Sequence, residues 1–551
     1  MQRLKNHWTQ HANCVSKYAL TLLLLVSGAV SAQTSEPVEA RDGVAQISPQ
    51  HVVMLPLTDR PLVEISFPIA SSVPVLGENQ NGAAHQLLRQ LYTIGQAAGN
   101  HGDLYDNRDR GHSLLETERH PQLSRILYDT RFSDVGWDYG LAVNLLFNAP
   151  VIGNSSTAVK NGRLSRSLPR MALTAPEGRG ADLIFQNYVT GQIHVYPEHR
   201  DHDPERGDLF PANTPYYLIS QGSSGSDKPF LEALAMILAA FHPDTKARLM
   251  EIGLLAPTVQ MIFRRSQNGV STREAYLSGA AHPTVFSKER INLLRMVSLA
   301  NALHPADIPP LVRLRVVDED RVREGIDYFG EGLSEHLFDT PAAIARVWRS
   351  TAYSRSMVVS ADRTLDPNGR PLTFHWVLLR GDPANIHISP LDPDGRSARI
   401  TLNWQSSRPV PGQSDIQSDR IDIGVFANNG VHDSAPSFIS FFLPQHEKRL
   451  YEPGFDGKMR ITSIDYRNQN NVYADPLIFP VIPWRDDYLY DETGELLGWN
   501  RHRDEITTTY ETSGNRILSQ GGVNSVTQNR PVRYLLIPET DGTMQVHEHS
   551  P

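Results

Sequence analysis

The chain has 551 residues, with 52 basic and 61 acidic side chains and a formal net charge of −9. That acidic balance excludes a general nucleic-acid binder, which would carry the opposite sign, while 40% hydrophobic residues supply apolar surface for two or three cored domains. The single cysteine, Cys14, leaves no disulfide, thiolate metal site or cysteine nucleophile to the rest of the chain.

Arg3, Lys5 and Lys17 precede the apolar run YALTLLLLV (Tyr18–Val26), and Val30, Ser31 and Ala32 are the small residues a signal peptidase needs. This pattern predicts a signal peptide over residues 1–32 and an exported protein, periplasmic or extracellular. The run is short for a bilayer span and no later segment approaches that length, so no transmembrane anchor is expected. Residues 33–50 are small and polar and read as a flexible linker.

Over 51–350 the pattern is mixed. Strand-like runs (HVVMLPL, ADLIFQNYV, QIHVYP and LVRLRVV) alternate with helical ones (AAHQLLRQLYTIGQAA, DKPFLEALAMILAAF, TKARLMEIGLL, SKERINLLRMVSLANAL and TPAAIARVWRS). Asp227, Ser287 and Thr340 stand where N-caps belong. The expectation is a mixed α/β or α+β N-terminal domain.

After Arg355 the helical period gives way to short strands, SMVVSAD, LTFHWVLLRG, ANIHISPL, SARITLNW, RIDIGVFANNG and SFISFFLP, separated by DPNGRP and DPDGRS turns. Phe374, Trp376 and Leu378 share one strand face and can fill a sandwich core. Residues 355–444 resemble the PKD group of immunoglobulin-like β-sandwiches, named for polycystic kidney disease proteins. The carrying residues are SADRTLDPNGRPLTFHWVLLRGD, SARITLNW and RIDIGVFANNGVHDSAPSFIS, although WVLLRGD replaces the group's usual Asp-Phe-Gly-Asp-Gly turn. The resemblance implies an extracellular spacer or binding module, often joined to a hydrolase or an adhesin. Residues 445–551 read as a β-rich C-terminal segment with a hairpin around Asp491–Gly494.

Three polar clusters mark the first domain. In GNHGDLYDNRDRGHSLL (Gly99–Leu115), Asp106, Asp109 and His112 are spaced densely enough to hold a divalent cation together with His199. In HVYPEHRDHDPERGDLFPANTPYY (His194–Tyr217), Glu198, His199, Asp201, His202 and Asp203 follow a strand, and His199, Asp201, His202 and Asp203 could supply a base and its orienting carboxylate. The third is SQGSSGSD (Ser220–Asp227). Here Ser224 lies between Gly222 and Gly225, a near miss to the GxSxG nucleophile elbow, while Asp227 and Pro229 read as a helix cap and first turn. GNSSTA (Gly153–Ala158) is a second Ser/Thr turn of that kind.

Together these features point to an exported hydrolase-like protein that acts on an extracellular polymer or its fragments. In a serine mechanism Ser224 would attack, His199 or His202 would take the proton, and Asp201 or Asp203 would orient the base. In a metal-assisted one, Asp106, Asp109, His112 and His199 would hold the ion. The alternative is a non-catalytic surface or adhesion protein whose polar loops bind carbohydrate, another small-molecule ligand or a protein partner.

Overall fold

The computed structural model describes residues 36–549, apart from 55–59, 69–72, 159–172, 175–178, 200–201, 325–326, 329–332, 445, 467–481, 519–527 and 539–543. The expected signal peptide and cleavage point therefore lie outside the described residues. Six strands, β1 (Val44–Ile47), β2 (Leu104–Asn107), β3 (Ser124–Tyr128), β4 (Val151–Asn154), β5 (Gln192–Pro197) and β6 (Leu218–Ser220), form one sheet in the order β6-β5-β4-β2-β3-β1. All neighbours in it are parallel.

Parallel sheets are stable when both faces are covered, and alternate residues show that this one is. Leu104 and Val151 enter a cluster with Ala45, Ile47 and Ile126, whereas Tyr105 and Ile152 enter the larger cluster that holds the helices. Among those helices are α1 (Ala83–Thr93), α2 (Gly180–Val189), α3 (Lys228–Ala240), α4 (Leu255–Arg265) and α5 (Leu293–Ala302). Every residue of α3 from Phe230 to Ala240 is buried except Glu232, as expected of a helix apolar on all sides.

Four expectations are corrected. The linker contains β1, which pairs with β3 at the sheet edge. ADLIFQNYV is helix α2, not a strand: Ala181, Ile184 and Tyr188 are its buried face, a spacing of three and four. TPAAIARVWRS is a strand turn, not a helix capped by Thr340. Ala343–Val347 is buried throughout, so it has no period with which to distinguish helix from strand. Ser287 makes no side-chain cap either; Asn292 caps α5 by accepting from the Arg295 amide at 3.1 Å.

The β-rich half begins earlier than expected. It comprises β7 (Arg315–Glu319), β8 (His336–Thr340), β9 (Ala343–Val347), β10 (Ser354–Ser360), β11 (Thr373–Arg380), β12 (Ile386–Pro390), β13 (Ser397–Asn403), β14 (Ile421–Asn428) and β15 (Ser437–Phe442). These make a four-stranded sheet, β7-β10-β13-β12, and a five-stranded sheet, β8-β9-β15-β14-β11. Ile344, Trp348, Val359, Ile400, Ile423 and Phe441 form one core drawn from both sheets. Its fully buried tryptophan is Trp348. Trp376 is only half-buried, and its indole N–H donates to Gly395 O at 2.6 Å.

This half is not separable from the first. Ala343, Phe426, Phe438 and Phe442 belong to the same apolar cluster as α3 and α4. Beyond it, the strands from Lys448 to Arg530 form a seven-stranded sheet, and the expected hairpin turns at Asp491–Gly494 with Gly494 at φ +83°. Among the described residues no helix is long and apolar enough to cross a membrane.

Candidate site at the carboxyl edge of the sheet

The chain passes from β2 to β3, on the side of β1, and then returns to the other side of β2 to build β4, β5 and β6 towards the opposite edge. The winding direction thus reverses between β2 and β4. In open α/β sheets ligands bind beyond the carboxyl ends of the strands at such a reversal. Asp106 and Asn107 end β2, Asn154 ends β4, and the loop after β6 leads through Ser223 and Ser224 to Asp227 at the start of α3.

The floor of this edge is a buried polar network. Asn154 Nδ2 donates to Asp227 Oδ2 at 2.5 Å and to Ser113 O at 3.0 Å, which ties the first cluster to the third. Asn154 Oδ1 accepts from the Tyr105 hydroxyl at 2.9 Å and from Asn107 Nδ2 at 3.1 Å. Asp106 accepts from Tyr128 at 3.0 Å and faces Arg108 at 3.4 Å and His194 Nε2 at 3.3 Å, which ties the first cluster to the second. Burial pushes the Asp106 carboxyl up, but Arg108 and then His194 hold it below the usual range. Burial likewise lowers the His194 imidazole, against the pull of Asp106. Space here is tight. A Cβ on Gly153 would lie 2.4 Å from the His194 ring and 2.5 Å from Asp106 O, so only glycine lets β4 pass.

Asp227 departs from its expected role. Its backbone is already helical and its side chain makes no cap hydrogen bond. The carboxyl is instead fully buried against Asn154, with Oδ1 lacking any hydrogen-bond partner. Burial raises its pKa, the Asn154 hydrogen bond opposes that shift, and the charge of Asp109 adds to it. A carboxyl so placed holds its proton more tightly than an ordinary aspartate.

Asn154 links Asp227 to the loop that carries Asp109 and His112. Asp109 is buried, accepts from Ser156 Oγ at 2.7 Å and Ser156 N at 3.1 Å, and faces His112 Nδ1 at 3.3 Å. With the Nδ1 proton directed at Asp109, His112 Nε2 carries the lone pair, on a ring that is 58% exposed. Ser224 is exposed on the neighbouring loop.

Of the residues proposed for a serine triad, the described ones lie in different settings. Asp201 lies outside the described residues. His202 is buried with both ring nitrogens unbonded, and burial lowers its pKa to about 4. Its ring nitrogens are buried, whereas Ser224 is exposed. Asp203 accepts instead from the Glu205 amide at 2.8 Å in a short hairpin, and His199 is half-buried just beyond β5. Nor are the four residues proposed for a metal gathered: Asp106 is engaged by Arg108, Tyr128 and His194, and among the described residues no three His, Asp or Glu side chains surround one point. Asn107, Asn154, Ser156 and His194 were not singled out for chemistry in the sequence, although GNSSTA marked the turn that carries Asn154 and Ser156.

No family model and no curated protein matches the chain. A solved structure similar to it is that of a nucleoside hydrolase-related hypothetical protein from Saccharophagus degradans associated with carbohydrate metabolism. The two are 11% identical, over 53% of this chain and 71% of that one, with a TM-score of 0.17. At that score the likeness carries no weight for fold or chemistry.

Proposed function

We propose that the carboxyl edge of the β2–β4 sheet is the active site of an exported hydrolase that cleaves ester or glycosidic bonds in an extracellular polymer or its fragments. The observation that carries this reading is Asp227: a buried carboxyl with a raised pKa and one unbonded oxygen, at the reversal point of the sheet. In the step it supports, His112 Nε2 takes a proton from water as the water oxygen bonds to the electrophilic carbon. The bond to the leaving oxygen breaks, and Asp227 gives that oxygen its proton. Asp109, itself held by Ser156, orients the His112 ring.

The second reading is a non-catalytic carbohydrate-binding surface protein, favoured by the amides and hydroxyls of Asn107, Asn154 and Ser156 at the same edge. Membership of 355–444 in the PKD group is part of both readings. It is supported by two sheets sharing one core and by a turn in which Asp366 accepts from the amides of Asn368 and Arg370 at 2.9 and 3.0 Å.

The test is turnover by the mature protein on ester and polysaccharide panels, compared with Asp227→Asn and His112→Gln. A hydrolase loses about 10²–10⁴-fold in kcat in each variant. Binding without turnover in the wild type, weakened by the same substitutions, selects the second reading.

A further inference from the structure

A cleft of about 360 Å³ lies beside the junction of the two halves and shares no residue with the sheet edge. Its walls are apolar: Leu378 on β11, Pro383 just after it, and Pro409 and Pro411 on the two-stranded hairpin of Arg408–Val410 and Gln413–Ser418. Two guanidinium groups, Arg380 and Arg408, complete the lining. A bulge in β11 aims the first of them. Leu378 pairs with Ile423 and Arg380 with Asp422, which leaves Leu379 as the extra residue, and a bulge redirects the side chains beside it.

Both guanidinium groups keep donors to spare. Arg380 Nη1 binds Asp208 and Nε lies 4.0 Å from Asp422, whereas Nη2 makes no hydrogen bond among the described residues. Nor is Nη2 sealed from solvent, although the side chain is only 7% exposed. Arg408 Nη1 binds Asp382, and its Nε and Nη2 bond nothing among the described residues. Asp208 and Asp422 are shared with Arg420, whose charge weighs on Arg380 more than either carboxylate does, so burial and then Arg420 push the Arg380 pKa down. A buried cation short of counter-charge gains from a further anion.

We propose that this cleft binds a small organic carboxylate with an apolar body, its oxygens held by Arg380 Nη2 and Arg408 and its body set against Leu378 and the three prolines. The planar fork of a guanidinium matches a carboxylate, and a cleft of this size with apolar walls and a few charged groups suits a small molecule. A monoanion fits better than phosphate, because Asp208, Asp382 and Asp422 lie beside the same guanidinium groups and oppose a second negative charge. The site is independent of the hydrolytic reading.

The experiment is calorimetric titration of the mature protein with benzoate, its neutral amide benzamide, and inorganic phosphate. Benzoate should bind saturably at one equivalent with a Kd of about 1 mM or tighter, and the other two at least about tenfold more weakly. Arg408→Gln should weaken benzoate at least about tenfold with Tm unchanged, since that side chain is nearly half-exposed. Arg380→Lys, which keeps a charge for Asp208 but has no second nitrogen to offer, should weaken it as much. If Arg380→Lys fails to fold, Arg408→Gln carries the test. Absence of saturable benzoate binding, benzamide or phosphate bound as tightly as benzoate, or an affinity unchanged in Arg408→Gln overturns the proposal.

Discussion

Asp208 and Asp227 are both fully buried aspartates, one at the junction of the two halves and the other at the carboxyl edge of the sheet, and their surroundings give them opposite characters. Asp208 is clamped by Arg380 and by Arg420 Nη1 at 3.0 Å, and Arg420 Nε in turn bonds Asp422 at 2.9 Å. Against the cost of burial, Arg420 and then Arg380 bring the Asp208 pKa down to about 2, so it stays charged and holds the halves together. Asp227 has an amide where Asp208 has guanidinium groups, and its pKa rises. Counter-charge makes a buried carboxylate a fastener. Its absence raises the carboxyl's affinity for a proton.

Removing the fastener should have the largest effect. Asp208→Ala leaves Arg380 and Arg420 buried without their shared partner and should cost about 3–5 kcal/mol in chemical denaturation; a loss below about 1 kcal/mol would show the junction to be held by apolar packing alone.

Acid should strain the same junction through His202, which faces Asp208, Arg380, Arg420 and Asp415. Its folded pKa, about 4, lies below the unfolded value near 6.5, so the unfolded chain binds the proton first. Stability should therefore fall as pH drops from 6.5 to 4, by roughly 3 kcal/mol from this residue. A pH series of melts should show that slope reduced in His202→Gln.

At the sheet edge, Gly153→Ala drives a methyl group into the His194 ring and Asp106 O, and should cost about 1–3 kcal/mol. Calorimetry checks it, and a silent substitution would mean that β4 and β5 are further apart than described.

The smallest effect separates the two aspartates most sharply. A carboxyl whose folded pKa is raised weakens the fold above its unfolded pKa, near 3.8. Asp227→Asn should then leave stability at pH 7 unchanged or raise it slightly. Loss of a true helix cap would instead lower it by about 0.5–2 kcal/mol.

The sequence carried the fold where periodicity was unambiguous, as in α1, α3, β5 and the strands from Ser354 to Phe442. It failed where a segment is buried on every side, as at Ala343–Val347, because uniform burial erases the period. The three polar clusters were legible as clusters, since loops at one edge of a sheet gather such residues. Their pairings were not, because Asp106 meets His194 and Asn154 meets Asp227 only through the order of parallel strands. Asp227 illustrates the limit: a Ser-Asp-Lys-Pro string specifies a helix start, but the direction of its carboxyl depends on an asparagine 73 residues away.

The most direct measurement is the titration of Asp227 itself, followed by carboxyl carbon-13 NMR of aspartate-labelled protein and assigned by the resonance missing from Asp227→Asn. The account predicts that this resonance titrates above the ordinary aspartate value of 3.8. A resonance that titrates at or below 3.8 would make Asp227 an ordinary paired carboxylate and remove the proton donor from the proposed site.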